Sequence, residues 1–490
     1  MLHIYWFRKD LRLTDNRALC EFNKSVSVND KFLFLYIKNR NSYEYFGEKR
    51  VGFLFESLIC LKVELNALNF HLEILEGKSK DVFKKLLSKF DNISVYCNKQ
   101  VEPYCIGRDE EVNELLKKTG NQFHSYTDST IFDPGEVLNG EGKQYKVFTP
   151  FKNQCLKILK DNHFKKISTD ISILNPDNEA SISGIDLNYN IDLDSELQKI
   201  NKSHLINLIK GGRKAGLRLL KEFYEKGLTE YKSARDFPSV NGTSLISAHL
   251  HFGTIGIREA FRTAFVKLEK VKNASVQAEI KTWINELLWR EFYYNITFHN
   301  PQIMFESFKR EYDNIRWIND EENFKKWCNG VTGFPIVDAG MRQLNKEGWM
   351  HNRLRMITAM FLTKDLLTDW RWGEKYFAEN LIDLDFSNNN GGWQWSASTG
   401  VDAQPYFRIF NPYLQSKRFD PEGIYIKKYL PELKTLPSEF IHQPDLMDEN
   451  EQRLHGVIIG KDYPVPIVDH SKVKEEVVNR FKAAMNSDKN

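Results

Sequence analysis

The stretch WINELLWREFYYN, residues 283–295, sets an acid and a cation among aromatic rings. On a helix Trp283, Glu286, Arg290 and Tyr293 fall near i, i+3, i+7 and i+10, with Trp289 beside them. One stripe then carries both hydrogen-bonding charge and stacking surface. The plainer alternative is a half-buried helix in which Glu286 and Arg290 pair with each other. GWMHNRLRM, residues 348–356, places Asn352 and Met356 four apart on one face, flanked by Arg353 and Arg355, and there the plainer alternative is solvated arginines on an amphipathic helix. NNNGGWQW, residues 388–395, gathers three amides, two glycines and two indoles around a glutamine. Indoles are costly to leave in water, and Asn and Gly weaken regular structure, so the run suits no ordinary helix or strand. It offers a permissive backbone that something flat can approach closely.

GTSLISAHLHFGTIG, residues 242–256, opens with a Gly-Thr-Ser entry into a helical pattern, an N-cap signature whose free N–H and hydroxyl groups suit phosphate. His249 and His251 within it read as structural histidines. Asp383 and Asp385 hint at calcium, but the glycine and terminal glutamate of a calcium loop are not there, so no metal is expected. EGKSKD, residues 76–81, resembles the tail of a phosphate loop, but Leu72 stands where its first glycine belongs. Together these segments supply a phosphate terminus, an Arg/Asp pair, an Asn/Gly backbone and many indoles. That inventory fits a large planar cofactor with a pyrophosphate tail, beside a pocket for a second flat ligand.

The elements that must position these groups fall into three stretches. Over residues 1–130, apolar runs at 2–7, 32–37, 71–76, 93–98 and 123–127 alternate with helical patterns at 47–68, 79–90 and 107–119. Such alternation predicts parallel pairing in a doubly wound α/β sheet, Rossmann-like, with a ligand at the carboxyl ends of its strands. Residues 131–200 lose periodicity and gain Asn, Ser and Asp, which predicts a surface connector. From 201 to 480 the patterns are helical, an all-α domain.

Composition bounds the rest. The chain has 490 residues, 41% hydrophobic and 28% charged, with a net charge of +3. That permits a local nucleic-acid face without predicting one. Most of the ten tryptophans fall between 283 and 395. No apolar run approaches the ~20 residues of a membrane span, and the opening MLHIYWFRKDLRLTDN has charge where a signal peptide needs apolar residues. Six cysteines without a CxxC pair read as thiols in a reducing, cytoplasmic compartment.

From WFRKDLRLTDN (6–16) to YPVPIVDH (463–470), the chain resembles the photolyase/cryptochrome flavoproteins over nearly its whole length. The motifs carrying the resemblance are WINELLWREFY, GFPIVDAGMRQLNKEGWMHNRLRM, DLLTDWRWGEKYF, NNNGGWQW and DAQPYFRIFNP. The resemblance implies an α/β antenna domain followed by a helical domain holding a folded FAD, acting on UV-damaged DNA, with the chain a monomer. It implies that Tyr231, Thr243, Ser244, Leu245, Ile246, Ser247, Trp283, Arg355, Asp383, Leu384, Asp385 and Asn389 bind the cofactor. Arg355 and Asp383 match an ion pair beside the isoalloxazine, and Asn389 matches the residue facing flavin N5. A neutral amide there offers no ready proton, so a reduced flavin can stay anionic. Trp393, Trp370 and Trp317 match a three-tryptophan electron chain.

Within the family, the motif MHNRLRM looks like the class I cyclobutane pyrimidine dimer photolyases. Relatives acting on (6-4) photoproducts carry histidines at the positions of Asn352 and Met356, whose acid–base work an amide and a thioether cannot do. The resemblance gives Glu286 a hydrogen bond to the dimer, Trp289 and Trp395 the apolar wall, and Met356 a place against the lesion. Arg235, Arg290, Arg353 and Arg408 would grip phosphates, with Asn352 and Gln415 on the damaged strand. The implied reaction is light-driven repair by electron transfer from excited FADH⁻. A signalling photoreceptor without repair is the alternative. One departure concerns the antenna: the folate-binding Asn-Glu pair of some relatives is replaced by Tyr104 and Cys105, which argues against folate in that mode and leaves open a deazaflavin, another flavin or no second chromophore.

Overall fold

The computed structural model describes residues 1–39, 47–183, 191–200 and 209–487. Five apolar runs form β1 (Leu2–Phe7), β2 (Lys31–Lys38), β3 (Leu72–Glu76), β4 (Ile93–Asn98) and β5 (Gln122–Tyr126). They lie in the order β3-β2-β1-β4-β5, every pair parallel. The central strands are buried on both faces, which is why they read as continuous apolar runs rather than alternating ones. The crossovers are α1 (Arg17–Ser25), α2 (Glu48–Asn66), α3 (Ser79–Leu87) and α4 (Pro103–Lys118). Helix α4 starts four residues ahead of the pattern expected at 107–119, because Pro103 suits the first turn, where no N–H is needed.

Residues 131–200, expected as a connector, include α5 (Phe148–Ile158), whose Phe148, Phe151 and Cys155 are buried. Only three apolar positions in eleven carry that burial, too few to show as a periodicity. Two further helices, α6 (Ile257–Lys270) and α7 (Ala274–His299), follow in the same half of the molecule. All six cysteines are free thiols.

The chain folds into two compact units: residues 1–229 with 244–301, and residues 230–243 with 302–490. The first unit holds the sheet. Beneath WFRKDLRLTDN runs a buried charge network: Arg12 and Arg258 both donate to the Asp128 carboxylate, while Arg258 and Arg262 donate to Asp15. The second unit contains α8 (Pro335–Glu347), α9 (Asn352–Met360), α10 (Trp370–Asn380), α11 (Phe386–Ala397) and α12 (His470–Ser487). Trp327, Trp370, Phe377 and Trp393 lie in its main core, with Trp317 packed against the edge.

Helix α11 corrects an expectation. NNNGGWQW is helical throughout, despite a composition that disfavours regular structure. Asp385 caps it, accepting from the Asn388 backbone N–H at 3.1 Å, and buried Trp393 and Gln394 dock its inner face. The cap and the packing outweigh the poor propensity of Asn and Gly.

Candidate functional site

In the first unit, the loop Ser244-Leu245-Ile246 leads into a short helix, Ser247–Phe252. Leu245 holds φ of 54°, a left-handed conformation costly for a residue with a Cβ. Ile246 is buried and Ser247 is exposed. His249 is structural: Nδ1 pairs with Thr254 Oγ1 at 2.8 Å, and burial pushes its pKa down to about 4.

Helix α7, capped by Asn273, carries the acid, the cation and the indoles along 26 residues. Trp283 is buried against Phe223, ring centroids 5.0 Å apart. Glu286, Trp289 and Arg290 are half-buried. The Arg290 guanidinium donates to Ser129 O at 2.6 Å and to Tyr294 Oη at 3.0 Å, and it lies over the Tyr294 ring. Trp289 stacks on Phe148, centroids 3.7 Å apart and planes 9° from parallel. Sequence reasoning passed over Glu291, whose buried carboxylate accepts from the Ile131 backbone N–H at 3.0 Å; burial pushes it up to about 7.

In the second unit, Arg355 Nη2 reaches both carboxylate oxygens of Asp383, at 3.1 and 2.8 Å. Its Nε donates to Met350 O at 2.8 Å, which fixes the plane of the guanidinium. Arg353 donates to Asp236 at 2.8 Å and lies over the Phe419 ring. Exposed Asn352 and half-buried Arg353 both point donors at the Met356 sulfur, 3.9 and 3.8 Å away. Buried Tyr231 carries Arg235 over its ring, and Thr243 is half-buried. Leu384 packs against the core between the two aspartates. Arg408 is exposed, and Gln415 and Trp395 are half-buried.

Asn389 donates through Nδ2 to Glu374 O at 3.1 Å, and Asn390 donates to the Glu374 carboxylate at 2.9 Å. Burial raises that carboxyl to about 7, against the opposing hydrogen bond from Asn390. Neither Glu374 nor Asn390 stood out by sequence spacing. The same holds for Gly373, at which a Cβ would lie 2.1 Å from the Trp393 ring. Its place directly after the tryptophans of WRWGEKYF was the available signal.

The three tryptophans differ in exposure. Trp393 and Trp370 are 2% and 1% exposed, whereas Trp317 is half-buried against Phe481. The indole N–H groups of Trp393 and Trp370 are buried and have no hydrogen-bond partner among the described residues. No group of three His, Cys, Asp or Glu among those residues is arranged to hold a metal ion. No helix among them is long and apolar enough to cross a membrane.

Residues 3–169 match the family model of DNA photolyase, and residues 283–483 match that of the FAD binding domain of DNA photolyase. The chain is 38% identical to a deoxyribodipyrimidine photo-lyase of Alkalihalophilus pseudofirmus and 36% identical to that of Escherichia coli, in each case over 98% of both chains. Among solved structures, a class III photolyase from Agrobacterium tumefaciens is similar with a TM-score of 0.86 and 33% identity, over 99% of this chain and 98% of that one. An archaeal photolyase from Sulfolobus tokodaii, solved with two FAD molecules, is similar with a TM-score of 0.80 and 33% identity, over 99% and 100% of the two chains. A Synechocystis cryptochrome is similar at 0.83 and 28%, over 98% of each.

Proposed function

The chain belongs to the DNA photolyase family, and from that premise we propose which of its residues do the work. It is a lyase that repairs cyclobutane pyrimidine dimers in DNA with light, and FAD is its cofactor. The observation that carries this is the match, over nearly the full length of both partners, to relatives that are deoxyribodipyrimidine photo-lyases. Reduced FAD, when bound, supplies the photoexcited electron that opens the cyclobutane ring.

The donor set fits that cofactor. Hydroxyls of Tyr231, Thr243, Ser244 and Ser247 suit phosphate and ribose oxygens, with Leu245 and Ile246 shaping the loop. Ser387 Oγ and His351 Nε2 are buried polar atoms with no hydrogen-bond partner among the described residues, as expected of groups awaiting a polar ligand. We assign Trp283, Leu384, Asp385 and Asn389 to the cofactor as well. Arg355, oriented by Asp383 and Met350, contributes a fixed cation for negative charge on the ring system.

For the lesion, Glu286 accepts hydrogen bonds from the pyrimidine edges, and Trp289 and Trp395 supply flat apolar walls. Asn352 and Met356 hold no transferable proton, which favours a dimer whose cleavage needs none. Extruding a dimer costs less than extruding paired, stacked bases, and that difference contributes selectivity. Arg235, Arg290, Arg353 and exposed Arg408 hold phosphates, and Gln415 lies along the damaged strand.

Trp393, Trp370 and Trp317 relay electrons toward the cofactor. Burial without an N–H acceptor keeps the first two indoles from losing a proton, so half-buried Trp317 is the end that meets solvent. For the antenna, Cys105 is buried and Tyr104 Oη accepts from Asn39 Nδ2 at 2.5 Å, an arrangement ill suited to the folate mode. A flavin or deazaflavin is the second chromophore we favour, and mass analysis of the extracted chromophores identifies it. We propose that the enzyme acts as a cytoplasmic monomer.

The test is direct. FAD-loaded, photoreduced protein is mixed with a UV-damaged thymine oligonucleotide, and recovery of thymine absorbance under blue light is followed. Absent recovery with fully reduced, DNA-bound protein favours the photoreceptor alternative, which the cryptochrome similarity keeps in view. Trp393→Phe is expected to block photoreduction while sparing repair by chemically reduced enzyme. Loss of both activities shows that Trp393 does something else.

A further inference from the structure

Phe148 is the first residue of α5, in a stretch whose sequence predicts only a connector. Its ring is 7% exposed and lies almost parallel to the Trp289 indole, 3.7 Å away. Phe292 meets both rings edge-on, at 5.6 Å from Trp289 and 6.0 Å from Phe148, and Phe151 packs on Phe292 in turn. Trp289 itself remains half-buried, one helical turn beyond Glu286. A half-exposed indole ordinarily samples several rotamers and loses that freedom when a ligand stacks on it. Here Phe148 already covers one face, Phe292 holds an edge and Tyr293 packs alongside with its ring centroid 5.7 Å away, so the ordering cost is met before any ligand arrives.

We infer that Phe148 is a positioning residue: by stacking behind Trp289 it fixes the plane against which the pyrimidine dimer packs, and so sets the affinity for the lesion. This rests on the assignment of Trp289 to the lesion wall. It gives the segment around 148 a part in substrate selection, because a wall of fixed orientation accepts two pyrimidines held in one covalent geometry better than bases that must be ordered on it.

The experiment is a double-mutant cycle on full-length, FAD-loaded protein with Phe148→Leu, Trp289→Leu and the pair. Dissociation constants are measured for a dimer-containing duplex and for the same duplex undamaged, together with the repair yield per absorbed photon at saturating DNA. Phe148→Leu keeps the apolar fill and removes the flat ring. It is expected to weaken dimer binding about five- to tenfold, leaving undamaged duplex binding and the saturated yield unchanged. Phe148→Tyr keeps the ring and is expected to restore affinity, and the double variant is expected to bind no more weakly than Trp289→Leu alone. Multiplying effects in the double variant overturn the inference while leaving the Trp289 wall intact. If Trp289→Leu leaves dimer affinity unchanged, the wall assignment fails and the inference with it. FAD content and Tm report folding, and Phe148→Met is the second ringless variant if the leucine one does not load cofactor.

Discussion

Glu374, a residue of the motif DLLTDWRWGEKYF to which sequence reasoning gave no role, shows how one side chain orients its neighbours. It presents its backbone carbonyl to Asn389 and its carboxylate to Asn390, so two successive amides of α11 are oriented by one residue of α10. Burial holds the carboxyl at about 7 in the folded chain, above the ordinary glutamate value. A group whose pKa rises on folding contributes stability that is full below its unfolded pKa. That contribution is lost as pH climbs through the folded value. Glu374→Gln, which keeps the shape and cannot ionise, is therefore expected to gain stability relative to the parent as pH rises from 5 to 8, the two converging near pH 4 to 5. Thermal melts across that range check it, and a constant difference rules out titration of Glu374 as the cause. The FAD absorption band in the same melts reports whether the cofactor is retained.

At the scale of elements, α11 is where composition and structure part. Its Asn and Gly residues disfavour a helix, yet the chain is helical from Phe386 to Ala397. A local cap and a tertiary contact account for it. Asp385 bonds both the Asn388 backbone N–H and its side-chain amide, at 3.1 and 2.8 Å, and Trp393 enters a core in which Gly373 of α10 leaves room for its ring. Asp385→Ala removes the cap and is expected to cost about 1 kcal/mol, seen as a lowered Tm with weakened FAD retention. An unchanged Tm shows that core packing alone holds the helix. The strands were legible because burial on both faces of a parallel sheet demands continuous apolar runs. Helix α5 was not, because its burial rests on scattered aromatics whose partners lie far along the chain.

For the molecule as a whole, the motif WFRKDLRLTDN proves to be structural. Arg12 within it shares Asp128 with Arg258, so a strand-end loop, a post-sheet turn and α6 are joined by one buried carboxylate. Burial pushes that carboxyl up, but the two guanidinium groups outweigh it and hold Asp128 well below the usual carboxylate range. Its contribution is present at every pH above the unfolded value, about 4, and is lost only as acid reaches the folded value. Asp128→Asn leaves buried Arg12 without its carboxylate partner and Arg258 with Asp15 alone, and is expected to cost about 3–5 kcal/mol, a deficit constant between pH 5 and 8. Urea melts at those two pH values measure it, and a loss below about 1 kcal/mol shows that the network is dispensable.

The sequence by itself determined the parallel sheet, the helical remainder and, through its long motifs, the family. Those features depend on local runs and spacings, which a linear chain displays. Only the tertiary structure decided that NNNGGWQW is a helix, that Glu374 holds the amides, that Gly373 makes room for Trp393 and that Phe148 backs Trp289. Each rests on a packing contact or hydrogen bond whose partner is brought close by folding, and no periodicity along the chain encodes that partner.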